Sequence, residues 1–140
     1  MADSATHWKF TVTHYRRPEH THEEFMKWIV EGHLPLAMPI FKRHGVLEYS
    51  LFETPAPLNS ALKEGMSKNR TGWDYADFDC FIEYTLPSVE VIQAITTDPD
   101  WPISLKDEAK WVDTSKALAS LGRITPYLLR TGEVVNMEKS

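Results

Sequence analysis

From Tyr75 to Tyr84 the chain alternates residue by residue, with Phe78, Cys80, Ile82 and Tyr84 on one side and Asp77, Asp79, Phe81 and Glu83 on the other. A period of two places successive side chains on opposite faces of a strand, so this run predicts a strand with one face turned to a core. Trp8 to Tyr15 repeats the pattern: Phe10, Val12 and His14 share one face, and Thr11, Thr13 and Tyr15 the other. Two half-buried strands separated by a helix-period segment already confine the chain to a mixed α and β architecture.

The intervening segment carries its own start signal. After Arg16-Arg17-Pro18, Thr21-His22-Glu23-Glu24 forms a capping box, in which the Thr21 hydroxyl and Glu24 carboxylate satisfy free amides at a helix start. Phe25, Trp28, Ile29, Leu36 and Ile40 then recur at helical spacing, and His33 falls on the same apolar stripe. Pro35 removes a backbone donor and crowds the carbonyl of Glu31, so a kink or restart is expected beside His33. His44-Gly45 reads as the helix stop, and Val46 to Phe52 as a second strand with Leu47, Tyr49 and Leu51 on one side.

Thr54 to Trp73 holds Pro55, Pro57, Gly65 and Gly72, with a helix-compatible piece around Leu58 to Met66; a connection of this length reads as a lid. Ser88 is the expected N-cap of a helix burying Val91, Ile92 and Ile95 and ending near Asp98-Pro99. Ser104 to Leu121 reads as a further helical stretch, Ile124 to Arg130 as the last strand, and the segment from Gly132 as a loosely held tail. The order is that of a ferredoxin-like α+β fold: a four-stranded antiparallel sheet with helices on one face. The whole chain, 1–140, reads as one domain with its core at about 8–130 and an inserted loop or lid at about 54–74. The other sheet face needs cover, and a homodimer with sheets packed face to face supplies it.

Net charge of −5, with both signs interspersed, argues against a nucleic-acid surface. The polar stretch Met1 to His7 has no signal-peptide core and no window reaches a membrane span, which points to a cytoplasmic protein with no membrane partner. The single cysteine, Cys80, reads as a buried structural thiol. His20-Thr21-His22 with Glu23 and Glu24 offers closely spaced ligands, but they surround a solvated helix start and no distant pair completes a site, so no metal is expected. With no P-loop, dinucleotide glycine fingerprint or serine elbow, no cofactor is expected either.

The helix ending in Gly32-His33-Leu34-Pro35-Leu36, the His44-Gly45-Val46 turn and the run Tyr75-Ala76-Asp77-Phe78-Asp79-Cys80-Phe81-Ile82-Glu83 together resemble the EthD-domain branch of the dimeric α+β barrel superfamily, over about residues 8 to 130. The long insertion before Trp73-Asp74-Tyr75 and the aromatic-rich ending resemble the fungal members that accompany aromatic polyketide synthases. The resemblance implies a cofactor-free enzyme with a pocket between helices and sheet, acting on a polycyclic aromatic polyketide acid, most often as a decarboxylase. A cyclase, dehydratase or cofactor-free oxygenase on a similar substrate, and a non-catalytic module for an aromatic ligand or haem, stand as alternatives.

An imidazole with an ordinary pKa near 6.5 can protonate the enolate or phenolate left by loss of carbon dioxide, which makes His33 the expected general acid–base. Asp79 matches the family's aspartate of the third strand and either orients His33 or serves as a structural hydrogen-bonding group. His14 shares the face of Phe10 and Val12 and could enter the same cavity. Tyr49 and Tyr84 either donate phenolic hydrogen bonds to substrate or anchor the core. Trp28, Phe25, Trp73 and Trp101 could sandwich a planar ring system.

Overall fold

The computed structural model describes residues 5–138; Met1–Ser4 of the amino-terminal stretch and Lys139–Ser140 of the expected tail lie outside the described residues. Strands β1 (His7–His14), β2 (Glu48–Glu53), β3 (Cys80–Leu86) and β4 (Ala119–Ile124) form one sheet in the order β2-β3-β1-β4, antiparallel throughout. This is the ferredoxin-like arrangement. Phe10 faces Tyr84, Val12 faces Ile82 and His14 faces Cys80, so these pairs share the face that the helices cover.

Helix α1 (His22–Lys27) begins as the sequence dictates: Thr21 accepts the Glu24 amide while the Glu24 carboxylate accepts the Thr21 amide. A π-helical turn (Trp28–His33) follows, with the Leu34 amide bonded to the Ile29 carbonyl five residues back, and α2 (Leu34–Arg43) continues from it. The π turn answers Pro35, which has no amide to give to Glu31 and would crowd its carbonyl. It also rotates the apolar stripe by one residue. Ala37, Ile40 and Phe41 are buried, while Leu36, expected on the stripe, is exposed.

Helix α3 (Ala56–Met66) buries none of its residues. Helix α4 (Glu90–Thr96) buries Val91 and Ile95 against Phe41, Ile82, Tyr84 and Leu86. A second cluster joins Phe25, Met26, Ile29, Cys80 and Val112. Among the described residues no helix is long and apolar enough to cross a membrane.

Several boundaries differ from expectation. Strand β2 starts at Glu48, leaving Leu47 exposed. Strand β3 starts at Cys80; residues 74–78 run outside the ladder and line a separate cleft, with the Asn59 side chain holding the Ala76 carbonyl. Val89, not Ser88, is the N-cap of α4, and no side chain caps it. The expected helix over 104–121 is instead α5 (Trp101–Ser104), α6 (Glu108–Trp111) and a 3-10 turn (Thr114–Lys116). There the Asp113 carboxylate takes both the amide and hydroxyl of Ser115, a local bond that competes with helix. The last strand consequently lies earlier than expected, at 119–124, and Pro126, unable to donate to a ladder, ends it. Residues 127–135 fold back in a turn, with Val135 bonded to Tyr127 and Leu129 to Glu133.

Candidate active site

His33 closes the π turn, and that irregular backbone lets its ring leave the α2 axis and reach the Ser104 carbonyl, 3.0 Å from Nδ1. A carbonyl only accepts, so Nδ1 carries the hydrogen and Nε2 holds the lone pair of the neutral ring. Burial lowers the pKa of His33 below 6.5, opposed in part by the Ser104 bond and by the Glu108 charge.

The ring lines a cavity of about 220 Å³ between the sheet and helices α4 to α6. Phe10 and Ile82 rise from the sheet as its floor, while Ile92, Trp101 and Leu105 form its walls. Its polar groups are few: His14 from the end of β1, Tyr84 from β3, Thr96 from α4, Glu108 from the start of α6, and His33. Burial, helped by repulsion from a protonated His33, lowers the pKa of His14 to about 4, so its ring is neutral at pH 7. Its Nδ1 is buried without a partner among the described residues. Burial likewise holds the Tyr84 phenol in its protonated form. A second hollow of about 20 Å³, large enough for one water, adjoins the site and is lined by His14, His33 and Glu108 among apolar neighbours.

A ladder of rings steadies His33 from behind. His20 stacks on Trp111 at 3.9 Å, Trp111 lies 5.6 Å from Trp28 with planes 6° apart, and Trp28 stacks on His33 at 5.7 Å. Gly32 makes room for the ladder, since a Cβ there would sit 3.0 Å from the Trp28 ring. Trp28 is thus a positioning residue for His33 and does not line the main cavity.

The other expected residues divide. Tyr84, Trp101 and His14 join His33 in the cavity, as the shared sheet face of His14, Phe10 and Val12 implies. Phe25 is fully enclosed in the second core cluster and offers no surface to a ligand. Tyr49 packs against Phe41 and Tyr84, does not line the cavity, and has no hydrogen-bond partner for its hydroxyl among the described residues. Trp73 is exposed under the Arg70 guanidinium and lines the separate cleft beside α3. Asp79 does not meet His33 either. Its carboxylate accepts the Arg16 amide at 2.8 Å, the Arg16 guanidinium at 2.6 Å and His22 Nδ1 at 2.9 Å, and His22 Nε2 reaches Glu53 at 2.8 Å. Only its backbone approaches the site, donating to the His14 carbonyl. Helix α3, read as a lid, lines that same cleft and not the His33 cavity. Among the described residues no group of three His, Cys, Asp or Glu side chains is arranged to hold a metal ion.

Glu108 was not visible as a site residue. Within an unbroken helix over 104–121 its direction was undefined; only the break at Leu105–Asp107 turns the first residue of α6 toward His33.

The EthD domain model matches residues 17–115. Dehydratase iacD of Pestalotiopsis fici is 28% identical over 131 residues, covering 94% of each chain. Decarboxylase AgnL1 of Paecilomyces divaricatus is 27% identical over 126 residues, covering 89% of this chain and 83% of that one. In three dimensions, an EthD family protein from Bacillus halodurans superposes with a TM-score of 0.55 at 17% identity, over 83% of this chain and 96% of the other. The π turn, His33, Glu108 and strands β2 and β3 lie within the matched span, and the chain belongs to the EthD domain family.

Proposed function

We propose that the protein is a cofactor-independent lyase acting on an enolisable aromatic polyketide, with His33 as the group that takes and returns the proton. One observation carries the reading: a neutral imidazole, its Nδ1–H engaged by Ser104 and its Nε2 without a hydrogen-bond partner among the described residues, lines an apolar cavity. The names of the relatives, dehydratase and decarboxylase, support a lyase. Both losses pass through the same kind of charge: departure of carbon dioxide from a β-keto or ortho-hydroxy aromatic acid, or of the α-proton from a β-hydroxy ketone, leaves an enolate or phenolate. A neutral His14 and the Tyr84 hydroxyl are donors suited to that oxyanion, since neither adds a charge that water would screen better. A hollow of about 220 Å³ exceeds the ~150 Å³ of a benzene-binding cavity and suits one or two fused rings, with the rest of a longer polyketide at the mouth. Asp79 serves from outside, clamping Arg16 and His22 while its amide fixes the end of β1 at His14.

The sheet face away from the helices carries the Lys9–Glu83 pair, the bonded hydroxyls of Thr11 and Ser120, and the exposed Phe52. A second copy of the chain would cover it, and light scattering at twice the chain mass is the expected result.

Two probes test the activity. 1-Hydroxy-2-naphthoic acid loses carbon dioxide, and 3-hydroxy-1-tetralone loses water, each to give fluorescent 1-naphthol. Without added cofactor the protein should raise the rate of at least one, and His33→Ala should lower it by ~10²-fold or more. Unchanged turnover in that variant rejects the assignment, and tight 1-naphthol binding with no product from either probe marks a binding module.

A further inference from the structure

Charge separates the two losses. The groups facing His33 in the cavity are His14 from β1, Tyr84 from β3 and Glu108 from α6, and among the described residues no Lys or Arg lines it. Both imidazoles are neutral at pH 7. Among the described residues the Glu108 carboxylate enters no hydrogen bond or ion pair, and Lys110 pairs with Asp107. Among the described residues the one formal charge lining the hollow is therefore negative, and an anionic substrate would meet a like charge with no counter-ion among them.

Building on the lyase reading above, we propose that the site takes an uncharged β-hydroxy carbonyl compound and expels water from it, with Glu108 stabilising the imidazolium that His33 becomes midway. His33 Nε2 takes the proton from the carbon beside the carbonyl, and the C–H electron pair moves into the enolate, whose oxygen is held by a neutral donor. The enolate collapses to the enone as the carbon–oxygen bond to the β-hydroxyl breaks. The proton held on Nε2 passes to the departing oxygen. Water leaves and His33 is neutral again, so no co-reactant is consumed. Glu108 has two separable effects: it opposes anions in the ground state and favours His33-H⁺ at mid-reaction, the role a carboxylate commonly plays beside a catalytic imidazole. Decarboxylation gains from neither, because its substrate arrives as the anion that Glu108 repels.

The test uses wild type, Glu108→Gln, which removes the charge at nearly constant shape, and Glu108→Asp, which keeps it. Wild type should bind 1-naphthol at least about tenfold more tightly than 1-naphthoate, and Glu108→Gln should erase most of that preference while Glu108→Asp retains it. Dehydration of 3-hydroxy-1-tetralone should fall at least about tenfold in Glu108→Gln. The acid limb of kcat/KM should move to lower pH, because losing the carboxylate lowers the His33 pKa further. Equal binding of naphthol and naphthoate by wild type, or a Glu108→Gln variant with an unmoved limb and full dehydration, overturns the proposal. Release of carbon dioxide from 1-hydroxy-2-naphthoic acid, abolished by His33→Ala while the tetralone is untouched, overturns it but leaves the lyase reading intact. Failure of both probes overturns the two together.

Discussion

Replacing Gly32 by alanine sets two calculable effects against each other. The backbone of Gly32 is right-handed, the positive-φ glycines being Gly45 and Gly132, so a side chain there carries no conformational strain. Removing glycine from a helical turn is worth about 1 kcal/mol in its favour. Against this, the new Cβ would lie 3.0 Å from Cδ1 and 3.3 Å from Nε1 of Trp28. The indole cannot simply swing away, because Trp111 lies parallel behind it and His20 behind Trp111. Overpacking of this kind costs about 1–3 kcal/mol, so the net is a loss of about 1 kcal/mol, or ~3 °C in Tm for a chain of this size. The effect on turnover should be larger, since His33 rests on the same indole and a shift of ~1 Å in a catalytic group can cost ~10²-fold. Thermal unfolding and turnover of 3-hydroxy-1-tetralone, measured together, read both. Trp28→Phe placed in the Gly32→Ala background should recover part of each. A raised Tm with full turnover would refute the reasoning: the indole would then be free to yield, and the ring ladder would not hold His33.

Three further outcomes follow from buried and half-buried titratable groups. Asp98 accepts the Asp100 amide, His44 and Arg43, which together hold its pKa at about 2, below the ordinary 3.8. Its contribution is present above 3.8 and lost as pH falls toward 2, so Asp98→Asn should lower Tm at pH 7 and flatten the acid side of the Tm–pH curve; a variant with the wild-type curve contradicts this. Burial opposes a charge on His22, yet its bonds to Asp79 and Glu53 outweigh burial and raise its pKa above 6.5. That stabilisation is full below 6.5 and fades as pH climbs through the raised value, a decline that should vanish in His22→Gln on the same thermal scan. Cys80 is fully buried with its thiol pushed up to about 12, so a disulfide reagent at pH 8 should label the urea-unfolded chain and spare the native one.

What could be read ahead of the structure was whatever a local period or a local bond dictates. The alternation of Phe10, Val12 and His14 made His14 a candidate for the cavity that it lines in the structure, and Thr21 with Glu24 located the start of α1. Pro35 announced an irregularity beside His33, but not that the chain would resolve it with a π turn and so move the stripe from Leu36 to Ala37. Where local signals were weak, tertiary demands prevailed. Residues 104–121 have helical composition, yet 119–124 pair with β1 in the sheet, and a separate break at Leu105–Asp107 starts α6 at Glu108, which lines the cavity with His33. Asp79 illustrates the converse. Its place beside the strand was legible, but its partners Arg16 and His22 lie 63 and 57 residues away, a distance over which no periodicity speaks.

Two neutral imidazoles line one small apolar hollow, and an NMR titration of the histidine ring resonances, with and without 1-naphthol, tests that most directly. The expected result is that His14 titrates at about 4 and His33 below 6.5, and that 1-naphthol shifts both sets of signals while leaving His22 and His44 in place. His33 titrating at or above 6.5, with ring signals that ignore saturating 1-naphthol, would contradict the assignment of this cavity as the reaction site.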